Sequence, residues 1–127
     1  MILLTNNPKV QMGEKIFCDK QFVEGSYRDV LIAVRDKIHK GHRLLSHPLS
    51  GSVKPNETPY KSVIISRNSV GMDLDSLKII EDSIAAYDKF MQNSMKYGYN
   101  NQESLLADFS EMDYRLIKAA LDSASCR

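Results

Sequence analysis

Cysteine is scarce in this 127-residue chain: there are two, Cys18 and Cys126, one near each end. A small secreted scaffold carries more of them in a spaced framework, so reduced thiols in a cytoplasmic protein are the expectation. No apolar run approaches the roughly 18 residues that cross a bilayer, so no membrane partner is expected. The opening Met1-Ile2-Leu3-Leu4-Thr5-Asn6-Asn7 lacks a basic segment and the apolar length of a signal peptide. Charge of one sign is missing too. The formal net charge is +1, which leaves no global field to attract nucleic acid. Internal repeats, low-complexity tracts and a linker marking a second domain are all absent, and residues 1–127 read as a single domain.

What is present is an ordinary core-forming composition, 43% apolar and 26% charged. Ile2-Leu3-Leu4 is a short apolar run halted by Asn6-Asn7-Pro8, the pattern of a buried strand ending in a polar turn. Lys9–Lys20 reads as a loop or a short, poor helix, and Phe22-Val23 as a second strand. Tyr27–Lys40 is the clearest helix. Ser26 is an N-cap with Asp29 three residues on, and Tyr27, Val30, Leu31, Val34 and Ile38 form a stripe. Lys37, His39 and Lys40 crowd its last turn, and Gly41 supplies a left-handed stop. Leu44-Leu45 reads as a third strand and Val63-Ile64-Ile65 as a fourth, β-branched and interior. A long helix starts at Asp73 or Asp75 and runs to about Lys96, with Gly98 ending it. Ser110 and Asp113 resemble a second cap and acid, which predicts two C-terminal helical pieces, about Gln102–Phe109 and Glu111–Ser123, covering a sheet face or making a homodimer contact. Strands alternating with helices predict an α/β fold with a small, mostly parallel sheet of about four strands.

The segment that stands apart runs from His42 to Ser62. It holds three of the four prolines and two of the three histidines, so it is polar but stiff. Its irregular part spans roughly a dozen residues where connections usually take about 4–6, and such loops at strand ends are where binding groups are commonly held. Ser50, Gly51, Ser52 and Lys54 offer hydroxyls, a glycine amide and a cation, equipment for phosphate or carboxylate. Asn56, Thr58 and Lys61 extend that set, and Arg35 and His42 flank it. The competing reading is a proline-stiffened crossover whose Ser and Asn side chains bond their own backbone. Asn6 and Asn7, with Glu24 and His47, could line a crevice at the strand ends, although Asn-Asn-Pro also reads simply as a turn.

Established chemistries fit less well. G-x-x-x-x-G-K-[ST] is absent, so this is no P-loop. His39, His42 and His47 with Glu57 match no zinc spacing, and neither metal nor cofactor is expected. His47 beside Ser50 or Ser52 invites a hydrolase reading, but G-x-S-x-G is missing and no acid orients the histidine. Lys15 and Lys20 lie near Cys18 in sequence, which is thin support for a reactive thiol.

The stretch Val30–Ser62 resembles the GrdX family. The resemblance rests on Val34-Arg35-Asp36, on Ile38-His39-Lys40-Gly41-His42-Arg43-Leu44-Leu45, and on the run His47–Ser62. The opening Thr5-Asn6-Asn7-Pro8 is similar to that family as well. The resemblance implies a setting: GrdX-like proteins are encoded with the glycine, sarcosine and betaine reductase components of amino-acid-fermenting anaerobes. It implies no catalytic residues. The leading expectation is an accessory or regulatory protein that binds a small anionic metabolite or a reductase subunit through the 42–62 segment. An alternative is an enzyme on a phosphorylated or carboxylated substrate with His47 as general acid or base. A third is an interaction module docking through this loop and Tyr60.

Overall fold

The computed structural model describes residues 1–13, 19–49, 59–67, 71–93 and 103–125. In chain order the elements are β1 (Ile2–Thr5), α1 (Pro8–Gln11), β2 (Asp19–Phe22), α2 (Tyr27–His39), β3 (Ser62–Ile65), α3 (Leu74–Asn93) and α4 (Glu103–Ser125). The α/β class is as expected. The sheet has three strands in the order β2-β1-β3 and not about four. It is also mixed and not mostly parallel: β1 pairs parallel with β2 and antiparallel with β3.

Both corrections trace to the chain between α2 and β3. Parallel neighbours need a crossover, usually a helix, whereas strands joined without one pair antiparallel. The proline-rich sequence from Pro48 to Pro59 carries no helical periodicity, and the segment before it runs antiparallel along the outer edge of β3. That segment is not a full strand. Leu44 forms a single bridge with Ile65, and then Leu45 N–H and Ser46 N–H both donate to the Ile64 carbonyl. The Ile64 N–H in turn donates to the Ser46 side-chain oxygen at 2.9 Å. A serine hydroxyl thus replaces the backbone carbonyl that would continue the ladder. β3 is flanked on both sides, and its four residues are buried.

Helix α2 follows its local signals. Ser26 and Asp29 form a complete capping box, Ser26 Oγ accepting from the Asp29 N–H and the Asp29 carboxylate accepting from the Ser26 N–H. Gly25 makes the tight entry possible at φ +157, because a Cβ there would run into the Asp29 carboxylate. Gly41 leaves the helix at φ 104, the left-handed stop that glycine permits. Asp73 caps α3 through Ser76 N–H at 3.1 Å, which decides between the two aspartates; Gly98 lies outside the described residues.

The C-terminal region forms one helix, α4, and not two pieces. Ser110 and Asp113 sit inside it. Their polar groups have partners at Asn7, just past β1, and at Ser62 of β3, so what reads as a second cap is a set of tertiary bonds within an uninterrupted helix.

Side-chain alternation along the strands sorts the core into two faces. Leu4, Val63 and Ile65 face α2 and α3, where Val30, Leu31, Val34, Ile38, Ile80 and Ile84 complete an apolar layer. Leu3 and Ile64 face the other way, against Val10, Ile117 and Leu121. Thr5 pairs with Ser62, two residues on from Leu3 and two before Ile64. Both hydroxyls are therefore delivered to the α4 face.

Candidate functional site

Beneath α4, where β1 ends and β3 begins, buried polar side chains gather: Thr5, Asn6, Asn7, Lys61, Ser62 and Asp113. Burying such groups is costly unless they are hydrogen-bonded, and the bonds are present. Ser62 Oγ donates to Asp113 Oδ2 at 2.7 Å. Its contact with Thr5 Oγ1 at 2.8 Å then makes the threonine hydroxyl the donor of that pair, and Thr5 Oγ1 accepts from the Asn7 N–H at 3.0 Å. A directed chain runs from the Asn7 amide through two hydroxyls to the carboxylate.

Asn7 fastens the cluster to α4. Its Nδ2 donates to the Ser110 carbonyl at 2.8 Å and to Asp113 Oδ2 at 3.1 Å. Its Oδ1 accepts from Ser110 Oγ at 2.6 Å and from the Lys9 N–H at 3.1 Å. The last of these makes Asn7 the N-cap of α1, with Pro8 opening the helix. The turn reading of Asn-Asn-Pro is thus right locally, while the same side chain also holds an element more than a hundred residues away.

Asn6 fastens the other side. Its Nδ2 donates to the Gly25 carbonyl at 3.1 Å and the Pro59 carbonyl at 2.7 Å. Its Oδ1 accepts from the Lys61 N–H at 2.9 Å. The backbone entering β3, and Lys61 with it, is fixed against the ends of β1 and β2.

Lys61 and Asp113 line one cleft with Tyr27, Ser46, Tyr60 and Ser62, walled by Phe109, Met112, Leu116, Ile117 and Ala120 of α4. Its water-accessible space is about 40 Å³, room for a few waters or a small ligand group. The Lys61 Nζ stands 6.0 Å from the Tyr27 ring centroid, and Tyr27 stacks on Tyr87 at 5.1 Å. Burial pushes the Lys61 ammonium down to about 8, opposed by the Asp113 charge. Burial pushes the Asp113 carboxyl up, against hydrogen bonds from Ser62 and Asn7 and the charge of Lys61. Two ionisable groups of opposite sign are each driven toward the neutral form in one cleft, an arrangement that is enriched at functional sites.

Of the residues expected from sequence, Asn6, Asn7 and Lys61 come together here. Ser50, Gly51, Ser52, Lys54, Asn56 and Thr58 lie outside the described residues, as do Glu57 and Cys18. Arg35 projects from α2 toward Glu81 of α3, 3.9 Å away, and does not line the cleft. His42 Nδ1 contacts the Ser66 carbonyl at 2.8 Å. His47 Nδ1 accepts from the Leu49 N–H at 3.1 Å, stabilising its own turn. Glu24 is exposed. Among the described residues no three His, Cys, Asp or Glu side chains gather as a metal site would require, and no helix is long and apolar enough to cross a membrane.

Asp113 escaped the sequence reading because an acid three residues after a serine looks like a helix start. The signal that could have found it is its spacing. Asp113 falls four residues before Ile117 and eight before Leu121, on the buried stripe of α4 where an unpaired carboxylate would not be tolerated.

The family described as GrdX-like protein matches this chain over residues 2–122. No curated protein and no solved structure matches it.

Proposed function

From the premise that the chain belongs to the GrdX-like family, we propose that it is an accessory or regulatory protein of the glycine, sarcosine and betaine reductase system that binds a small anionic metabolite at the Lys61–Asp113 cleft. The observation carrying this reading is the buried Lys61, a cation held in a small cleft at the end of the 42–62 segment. A carboxylate or phosphate entering there gains a counter-charge in a poorly hydrated setting, where each charge-assisted bond is strong. The raised Asp113 carboxyl supports the same reading, since in its protonated form it donates a hydrogen bond to an anion and does not repel it. Ser50, Ser52, Lys54, Asn56 and Thr58, on the chain just before Pro59, are further ligand-binding candidates. A reductase subunit presenting an acidic group would meet the same lysine.

A thermal-shift series with inorganic phosphate, acetyl phosphate, acetate and glycine tests the reading. At least one anion is expected to raise the melting temperature in a concentration-dependent way, as a ligand that prefers the folded state must. The gain is expected to vanish in Lys61→Met and to weaken in Lys54→Ala. A wild-type protein indifferent to every anion, or a Lys61→Met variant stabilised as strongly as wild type, would overturn it.

A further inference from the structure

We propose that Lys61 is an imine-forming lysine, placed with Asp113 in the cleft to condense with the carbonyl carbon of a small aldehyde or 2-oxo acid. The proposal goes beyond reversible binding and, for an uncharged aldehyde, does not depend on the anion reading.

Four features of the cleft carry it. Lys61 is only 6% exposed, yet it borders open space. The cleft is also lined by the rings of Tyr27, Tyr60 and Phe109 and the side chain of Leu116, apolar surface that disfavours the ammonium form of the lysine. Its backbone is pinned by Asn6 through the Lys61 N–H, so the side chain starts from a fixed point. The second ionisable group of the cleft, Asp113, is held at Oδ2 by Ser62 and Asn7. A desolvated lysine that shares its cleft with a second ionisable group has the surroundings that make an amine nucleophilic near neutral pH.

The charge states agree with the geometry. Burial lowers Lys61 and raises Asp113, each in the direction of its neutral form. The Nζ lone pair forms the new N–C bond while the carbonyl π pair moves to oxygen, which takes the Asp113 proton. The resulting Asp113 carboxylate accepts a proton from the nitrogen, giving a neutral carbinolamine and restoring the acid. Returning that proton to the carbinolamine hydroxyl expels water as the nitrogen lone pair forms the C=N bond, and the iminium so formed gives its N–H proton back to the Asp113 carboxylate to leave the imine. The balance is one amine and one carbonyl to one imine and one water, with no change of oxidation state. About 40 Å³ of accessible space limits the partner to a few heavy atoms.

Reductive trapping tests the proposal. The full chain is incubated near pH 8 with sodium cyanoborohydride and either pyruvate or propanal, and adducts are located by peptide mass spectrometry. Lys61 is expected to be labelled at least ten times faster than any other lysine, with a rate that levels off above pH 8 while exposed lysines keep gaining. Lys61→Arg, which keeps the cation, is expected to lose that fast adduct while retaining the wild-type circular dichroism spectrum. Asp113→Asn is expected to slow Lys61 labelling at least tenfold. Labelling spread over the surface lysines, or a Lys61 rate that climbs through pH 10 with the rest, would overturn the reactive lysine whether or not the variants fold. An undiminished rate in a folded Asp113→Asn protein would remove the proton role of the acid.

Discussion

The two faces of one three-stranded sheet are put to different uses. Toward α2 and α3 the described residues include eleven buried apolar side chains in one cluster, against five on the α1–α4 side. The same two strands feed both. Leu4, Val63 and Ile65 point one way, and Leu3, Thr5, Ser62 and Ile64 the other. The first face is an apolar layer that holds the fold, and the second gives up part of its apolar area to a polar cluster and a cleft. Apolar packing and buried polar contacts are thus separated by the two-residue period of a strand, and substitutions one position apart should have different kinds of consequence.

The largest expected effect lies on the apolar face. Leu31→Ala, at a fully buried position, should cost about 3 kcal/mol of unfolding free energy in urea titrations. Leu121→Ala on the α4 face, already 7% exposed, should cost about 2 kcal/mol. Equal losses would dissolve the contrast between the faces.

Next comes the pH dependence of the polar face. The unfolded chain keeps its Lys61 proton up to the ordinary value of 10.5, whereas the folded chain releases it near 8. Between those values the unfolded state binds more protons, so stability must rise with pH. The rise attributable to this group is roughly 3 kcal/mol at most. Lys61→Met is expected to flatten it and to be more stable than wild type at pH 7. A variant with the wild-type slope would place the titration elsewhere.

A smaller loss is expected from Asn7→Ala. It removes bonds to Ser110, Asp113 and the Lys9 amide at once, leaving buried partners unsatisfied at about 2 kcal/mol. Hydrogen exchange should show the loss concentrated in α4 and α1, with α2 little changed. Ser62→Ala, which cuts the hydroxyl chain between Thr5 and Asp113, should cost about 1 kcal/mol by thermal melts.

The apolar face was the legible one. Stripe, cap, capping acid and terminal glycine all locate α2, and Val63-Ile64-Ile65 declares β3, because these signals are local. The polar face was read in fragments. Asn7 looked like a turn residue, Ser110 and Asp113 like a helix start, and Lys61 like the last cation of a loop. Each description follows from its neighbours in sequence. Their meeting depends on which strand face carries Thr5 and Ser62 and on how α4 lies across it, and neither is written in any short window. The four-strand expectation failed for a related reason, since Ser46 offers its hydroxyl where a backbone carbonyl would have continued the ladder.

The Asn6 side chain has a consequence for the order of events in folding. One amide joins Gly25, Pro59 and Lys61, which lie 19, 53 and 55 residues away along the chain. Those bonds cannot form until two long excursions have returned, and each closure costs chain entropy before any contact repays it. Asn6→Ala is therefore expected to accelerate unfolding while leaving the refolding rate nearly unchanged, the signature of an interaction made after the rate-limiting barrier. The cleft would be the last part of the molecule to be assembled and the first to be lost.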